Sequence, residues 1–334
     1  MHVPQTYFDI CRRLDQPAES PVRPVEDFEL AYPPVGFAPC LGGIGNGDEY
    51  GFYWPVGREA DPPVVAFMSH DAWALIPVAS SIEGLDALGE HSELAFMLGR
   101  PDPLDEENED DEVVRDFAGS VAWRLALDPG SPYLQVANAD VAVARNELDR
   151  AETLYRQAVE RLPEYTAAHY GLAVLSRRQR KPSEVVRWCL EAVRSPLAFR
   201  GASFWADTAL PPEYVNRDDY RRKCLHWLQQ AKPTDADDFE SDPLFRERHR
   251  LTFATGVATN DDFLIYQDAV AEYLTLGQPL IAVRLTMLYG ELMAAEVTPF
   301  QERCGFTFDG HRDRLAKLFE DAGLTERLAF LQTS

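Results

Sequence analysis

Two stretches of this chain align without a gap at a spacing of 34 residues, Pro132 against Thr166, and that period constrains the fold more than any other feature. The first copy, ANADVAVARNELDRAETLYRQAVERLP, carries Ala139, Ala151, Tyr155, Ala158 and Pro163. The second, HYGLAVLSRRQRKPSEVVRWCLEAVRSP, carries Leu172, Ala173, Val185, Cys189, Ala192 and Pro196 at nearly equivalent positions. Small residues at helical spacing let two helices cross closely, so each copy predicts one helical hairpin. Such units bury their apolar faces only against neighbours, which predicts an array.

These positions resemble the tetratricopeptide repeat, with Val185 and Cys189 replacing the usual alanine and aromatic in the second copy. An ordinary helix pair of another bundle would share the periodicity. Apolar residues at three and four spacing predict further helices over Arg217–Gln230, Asp262–Leu276, Pro279–Glu296 and Arg312–Phe330, giving about five hairpins from Val113 onward. The resemblance implies ligand-facing positions on the first helix of each hairpin: Tyr133, Val136, Asp140, Tyr170, Val174 and Arg177. Packing against adjacent helices is the alternative role for all six.

Before the repeats the pattern changes. A short helix is predicted over Pro4–Leu14, then loop and edge strand through the proline-rich passage from Pro17 to Pro39. Leu41 to Leu88 is the least helical stretch: a glycine cluster, an aromatic strand over Glu49–Trp54, an apolar strand over Val64–Met68, and a helix within Ala79–Leu88 with Ser80 and Ser81 available as N-caps. Seven of the eight residues Asp105 to Glu112 are acidic, a self-repelling block that reads as linker or exposed loop. The expected architecture is an α+β N-terminal domain, mostly antiparallel sheet with flanking helices, over residues 1–100. An acidic linker over 101–112 and an all-α C-terminal helical-hairpin solenoid over 113–334 follow.

Little in the sequence points to chemistry. Gly43-x-Gly45 lacks a third glycine at position 48 and leads into a strand, which excludes a dinucleotide loop. His70 and Asp71 adjoin, but neighbours on a strand face opposite ways, and the Asp48-Glu49 pair reads as a turn cap. Five cysteines at least 29 residues apart suit buried free thiols, so no metal and no cofactor is expected, and the chain is read as non-enzymatic. No apolar run of membrane-spanning length and no signal-peptide pattern is evident, which predicts a cytoplasmic location. With 55 acidic against 32 basic residues and a net charge of -23, direct nucleic-acid binding is disfavoured and a basic protein partner is favoured.

GNGDEYGFYWP, PVVAFMSHD and LIPVASSIEGLDAL together resemble the core of the SUKH superfamily, whose bacterial members are similar to immunity proteins. Gly47-Asp48, Tyr50 to Trp54, Val64 to His70 and Ala79 to Leu85 occupy that family's turn, two strands and closing helix. The resemblance implies function by docking onto a cognate secreted toxin, such as a nuclease delivered by type VI or contact-dependent secretion. Asp48, Glu49, Tyr53, Trp54 and Trp73 are the anchors it implies, joined by Tyr133, Asp140, Tyr170 and Arg177 of the repeats. A scaffold binding a peptide or protein through the helical repeats is the alternative. Core packing for the rings and turn capping for the acids are the structural roles that compete with anchoring.

Overall fold

The structure, a computed structural model, describes residues 1–13, 20–22, 34–42, 49–69, 74–89, 117–199, 220–232, 237–252, 262–294, 301–302 and 304–332. Its N-terminal part is a four-stranded antiparallel sheet in chain order, β1 (Phe37–Gly42), β2 (Glu49–Tyr53), β3 (Val64–Ser69) and β4 (Ala74–Ala79), flanked by α1 (Gln5–Arg13) and α2 (Ile82–Gly89). Tyr53 sits opposite Val64 and Glu49 opposite Met68, so the aromatic and β-branched runs form the central pair. A Cβ at Gly51 would lie 2.2 Å from the Phe37 ring, so this glycine lets β1 lay its aromatic across β2. β4 was not expected, because Pro77 interrupts its run. It is an edge strand, where a missing donor is tolerated. Ser81 caps α2, its hydroxyl accepting the Gly84 N–H at 3.2 Å.

The remainder is helical: α3 (Phe117–Leu127), α4 (Pro132–Ala144), α5 (Leu148–Arg161), α6 (Thr166–Arg178), α7 (Pro182–Arg194), α8 (Tyr220–Gln230), α9 (Pro243–Glu247), α10 (Asp262–Thr275), α11 (Pro279–Ala294), α12 (Phe308–Asp321) and α13 (Thr325–Gln332). Both helices of the α6/α7 hairpin begin 34 residues after those of α4/α5. The turns repeat as well. Asn146 and Arg180 take left-handed backbone, φ 60° and 58°, and the residue after each closes the turn, Glu147 N–H to the Ala142 carbonyl at 2.8 Å and Lys181 N–H to the Ser176 carbonyl at 2.9 Å. Gly277 serves the α10/α11 turn at φ 69°. Gly323, at φ 71°, splits into α12 and α13 what periodicity alone predicts as one helix over Arg312–Phe330. The acidic run 105–112 lies outside the described residues.

The two parts share one core. Ser131 caps α4 by accepting the Leu134 N–H, and its hydroxyl donates to the Val78 carbonyl of β4 at 2.8 Å. Asp128 accepts the Ser80 N–H at 2.7 Å, and the Arg161 guanidinium reaches the carbonyls of Pro62 and Ser80. α4 thus covers the edge that β4 would otherwise expose, which removes a template for intermolecular strand pairing.

Candidate binding surface

Tyr53 and Trp54 are fully buried, which corrects the expectation that they anchor a partner. The end of β2 is inserted between sheet and helices: the Tyr53 ring lies 4.7 Å from that of Phe199, and its hydroxyl donates to Glu164 at 3.3 Å. Neither side chain reaches the surface. Glu49 is half-buried at the start of β2, while Asp48, Trp73, His70 and Asp71 fall outside the described residues.

Beneath that strand end lies a charged junction. Arg327 of α13, fully buried, donates from Nε to Glu59 at 2.7 Å and from its two terminal nitrogens to the carbonyls of Val35 and Trp54. Gly36 makes this possible, since a Cβ there would sit 2.6 Å from the guanidinium. Glu164, in the α5/α6 turn, accepts the Val56 N–H at 2.6 Å, and burial pushes its carboxyl up. Further along, burial alone would raise the Glu191 carboxyl, but Arg284 at 3.1 Å and Arg194 at 2.6 Å outweigh it and hold it at about 2. Apart from the second oxygen of Glu164, which is buried without a partner among the described residues, these charges are met by one another and by backbone, so their role is to fasten elements together.

The hairpin positions divide. Tyr133 and Val136 are buried in the shared core, which corrects their assignment as ligand-facing. Asp140 is exposed and accepts the Tyr155 hydroxyl. Tyr155 is also what requires Gly171, whose Cβ would meet the tyrosine ring at 2.3 Å where α5 and α6 cross. Tyr170 is half-buried and stacks on Tyr220 at 4.6 Å and on Trp227 at 5.5 Å, both in α8. Arg177 is exposed, its guanidinium 4.9 Å from the Trp227 ring centre.

Of the sequence-derived candidates, then, Tyr170 and Arg177 are brought together, around a tryptophan that sequence reasoning passed over. Tyr220 and Trp227, seven residues apart on α8, share one helix face, and that spacing was the available signal. Among the described residues, no group of three His, Cys, Asp or Glu could hold a metal. Cys11, Cys189 and Cys224 are buried thiols, Cys40 and Cys304 partly so. No helix of the described residues is long and apolar enough to cross a membrane.

The fold is thus that of a two-part protein, an antiparallel α+β unit continuous with a helical array, with a half-buried aromatic cluster beside an exposed arginine on the array. Residues 25–94 match the family described as the YfbP N-terminal domain, and residues 254–329 that described as the YfbP C-terminal domain. The chain is 29% identical to the uncharacterized protein YfbP of Escherichia coli (strain K12) over 292 residues, covering 86% of this chain and 88% of the relative. Glu59 lies in the first matched segment and Arg327 in the second, so the buried ion pair joins the two. The Tyr170, Arg177 and Trp227 cluster falls between them.

Proposed function

We propose that this chain acts by binding another protein, without chemistry of its own, and that the recognition surface is the helical-hairpin array, as in an adaptor. The observation that carries this reading is the division between its parts. At the junction, Glu59 and the strand-end backbone of the α+β unit are taken up in fastening it to the array, whereas α6 and α8 present half-buried aromatic rings beside the exposed Arg177. The tetratricopeptide resemblance of α4 to α7 supports the same reading. Affinity capture of the full chain followed by hydrogen exchange on the recovered complex tests it. Slowed exchange over α4 to α8 is expected, and protection confined to the sheet would overturn the assignment.

A second reading is favoured by the net charge of -23: an immunity protein of the SUKH type that occludes a basic toxin. Its expected outcome is that the neighbouring gene's product arrests growth when expressed alone and that this chain restores it. A neighbour harmless on its own removes this reading and leaves the adaptor.

A further inference from the structure

The turn joining α6 to α7 and the end of α8 enclose an open cavity of about 410 Å³. Arg177, Arg180 and Lys181 rim it, and Val185, Trp227 and Leu228 contribute apolar surface. No carboxylate is among its described lining residues. In a chain with 55 acidic against 32 basic residues this stands out, and three nearby arginines outside the cavity are each paired with a carboxylate. Arg150 pairs with Glu147, Arg156 with Glu152 and Arg187 with Glu184. Arg177, Arg180 and Lys181 are all exposed, and none forms an ion pair within 4.0 Å with a described carboxylate, Lys181 acting on Glu152 only at longer range. With Arg178, four cations fall within five residues and repel one another, which an anionic occupant would relieve.

Arg180 adds an independent observation. Its backbone is left-handed at φ 58°, the position filled by Asn146 in the preceding hairpin and by Gly277 in a later one. Asparagine and glycine take that conformation readily and arginine does not. The turn keeps its least comfortable residue where its charge faces the cavity, as backbone strain at recognition sites does.

We propose that this cavity binds an acidic peptide segment of a protein partner, with carboxylates paired to Arg177, Arg180 and Lys181 and an apolar side chain laid against Val185, Trp227 and Leu228. The proposal rests on the reading of the chain as a binding protein and assigns one site and the chemistry of its occupant. Charge complementarity selects the occupant: the rim is cationic, the floor apolar, and arginine forks bind carboxylates bidentately.

The test is fluorescence anisotropy of the full chain against labelled dodecamers of Asp and Glu with one Leu, Phe or Trp at varied positions, and against matched peptides of Lys and Arg. At least one acidic peptide should bind with a Kd below about 100 µM, weakening as salt rises. The triple variant Arg177→Gln, Arg180→Gln, Lys181→Gln should lose at least about ten-fold, an effect of one ordinary charged contact or more. Arg150→Gln, a surface arginine already paired, should change nothing. Arg180→Gly keeps the turn's geometry, so weaker binding by that variant cannot come from unfolding. Absence of binding to every acidic peptide, equal binding of the basic set, or an unaffected triple variant would each overturn the proposal. A partner complex that forms equally with the triple variant sinks this site while leaving the broader reading intact.

Discussion

Arg327 and Glu59 form a buried ion pair at 2.7 Å across 268 residues of sequence. The arginine has no surface exposure, and its other two nitrogens are taken by backbone carbonyls of the sheet domain. Removing one partner of such a pair strands the other in a low-dielectric site. Arg327→Met should therefore destabilise the whole protein by about 3–5 kcal/mol in urea unfolding. Adding Glu59→Leu should return part of the loss, since it removes the stranded charge. If Arg327→Met instead unfolded only the C-terminal helices, leaving the sheet's transition in place, the two parts would not be one cooperative unit.

Gly290 on α11 faces the ring of His311 on α12, and a Cβ there would lie 2.2 Å from Nε2. Alanine is normally the better helix former by about 1 kcal/mol, so the sign of Gly290→Ala is informative. The clash should win and destabilise by about 1–3 kcal/mol, as overpacking of a filled core does. In a double-mutant cycle His311→Ala should relieve the clash, so the pair couples. Additive effects would contradict this packing.

His311 also predicts a pH dependence. Burial holds its imidazole down to about 4, with the Arg314 charge adding to the effect, against an ordinary 6.5, and among the described residues neither ring nitrogen has a hydrogen-bond partner. Between those values the unfolded chain binds the proton and the folded chain does not, so stability is full above 6.5 and falls as pH drops towards 4. The loss reaches about 3 kcal/mol, from about 1.4 kcal/mol per unit. His311→Phe, seated among Tyr289 and Phe306, should flatten that slope. Glu191 acts in a separate window: held at about 2 against an ordinary 4.5, its contribution is present above 4.5 and lost as pH falls through 2. A variant whose stability still fell between pH 6.5 and 5 would assign the slope elsewhere.

Arg180→Gly should raise stability by about 1 kcal/mol, because it relieves a left-handed residue, with a small offset from the freer unfolded chain. Asn146→Gly, the equivalent change one hairpin earlier, should be near neutral, since asparagine tolerates that backbone. Thermal unfolding of the two variants side by side decides it. Equal responses would mean that Arg180 carries no strain.

The helices that sequence reasoning located best are those whose pattern is local. The 34-residue period placed α4 to α7 through residues that touch within a hairpin, such as Tyr155 and Asp140, or between neighbouring hairpins, such as Tyr155 and Gly171. The central strands β2 and β3 were legible from composition, and Ser81 from its place before an apolar run. Four features were not. β4 hid behind Pro77, because whether a strand lies at an edge depends on its neighbours and not on its own residues. Gly323 was passed over inside an apolar periodicity that continues on both sides. Tyr53 and Trp54 admitted anchoring and core packing alike, and what decides for the core is Phe199 and Arg327, 146 and 273 residues further on. The cationic cavity was invisible for the same reason: Trp227 reaches Arg177 only through the stacking of α8 on α6.

The clasp at Arg327 sets how the molecule bears load. An open helical array pulled from its ends can shed one hairpin at a time. Here Arg327 ties α13 to the end of β2 and to Glu59, so tension between the sheet and α13 falls first on the contact that joins them. The helices between are shielded until it parts, which makes the chain a buckled strap rather than a spring.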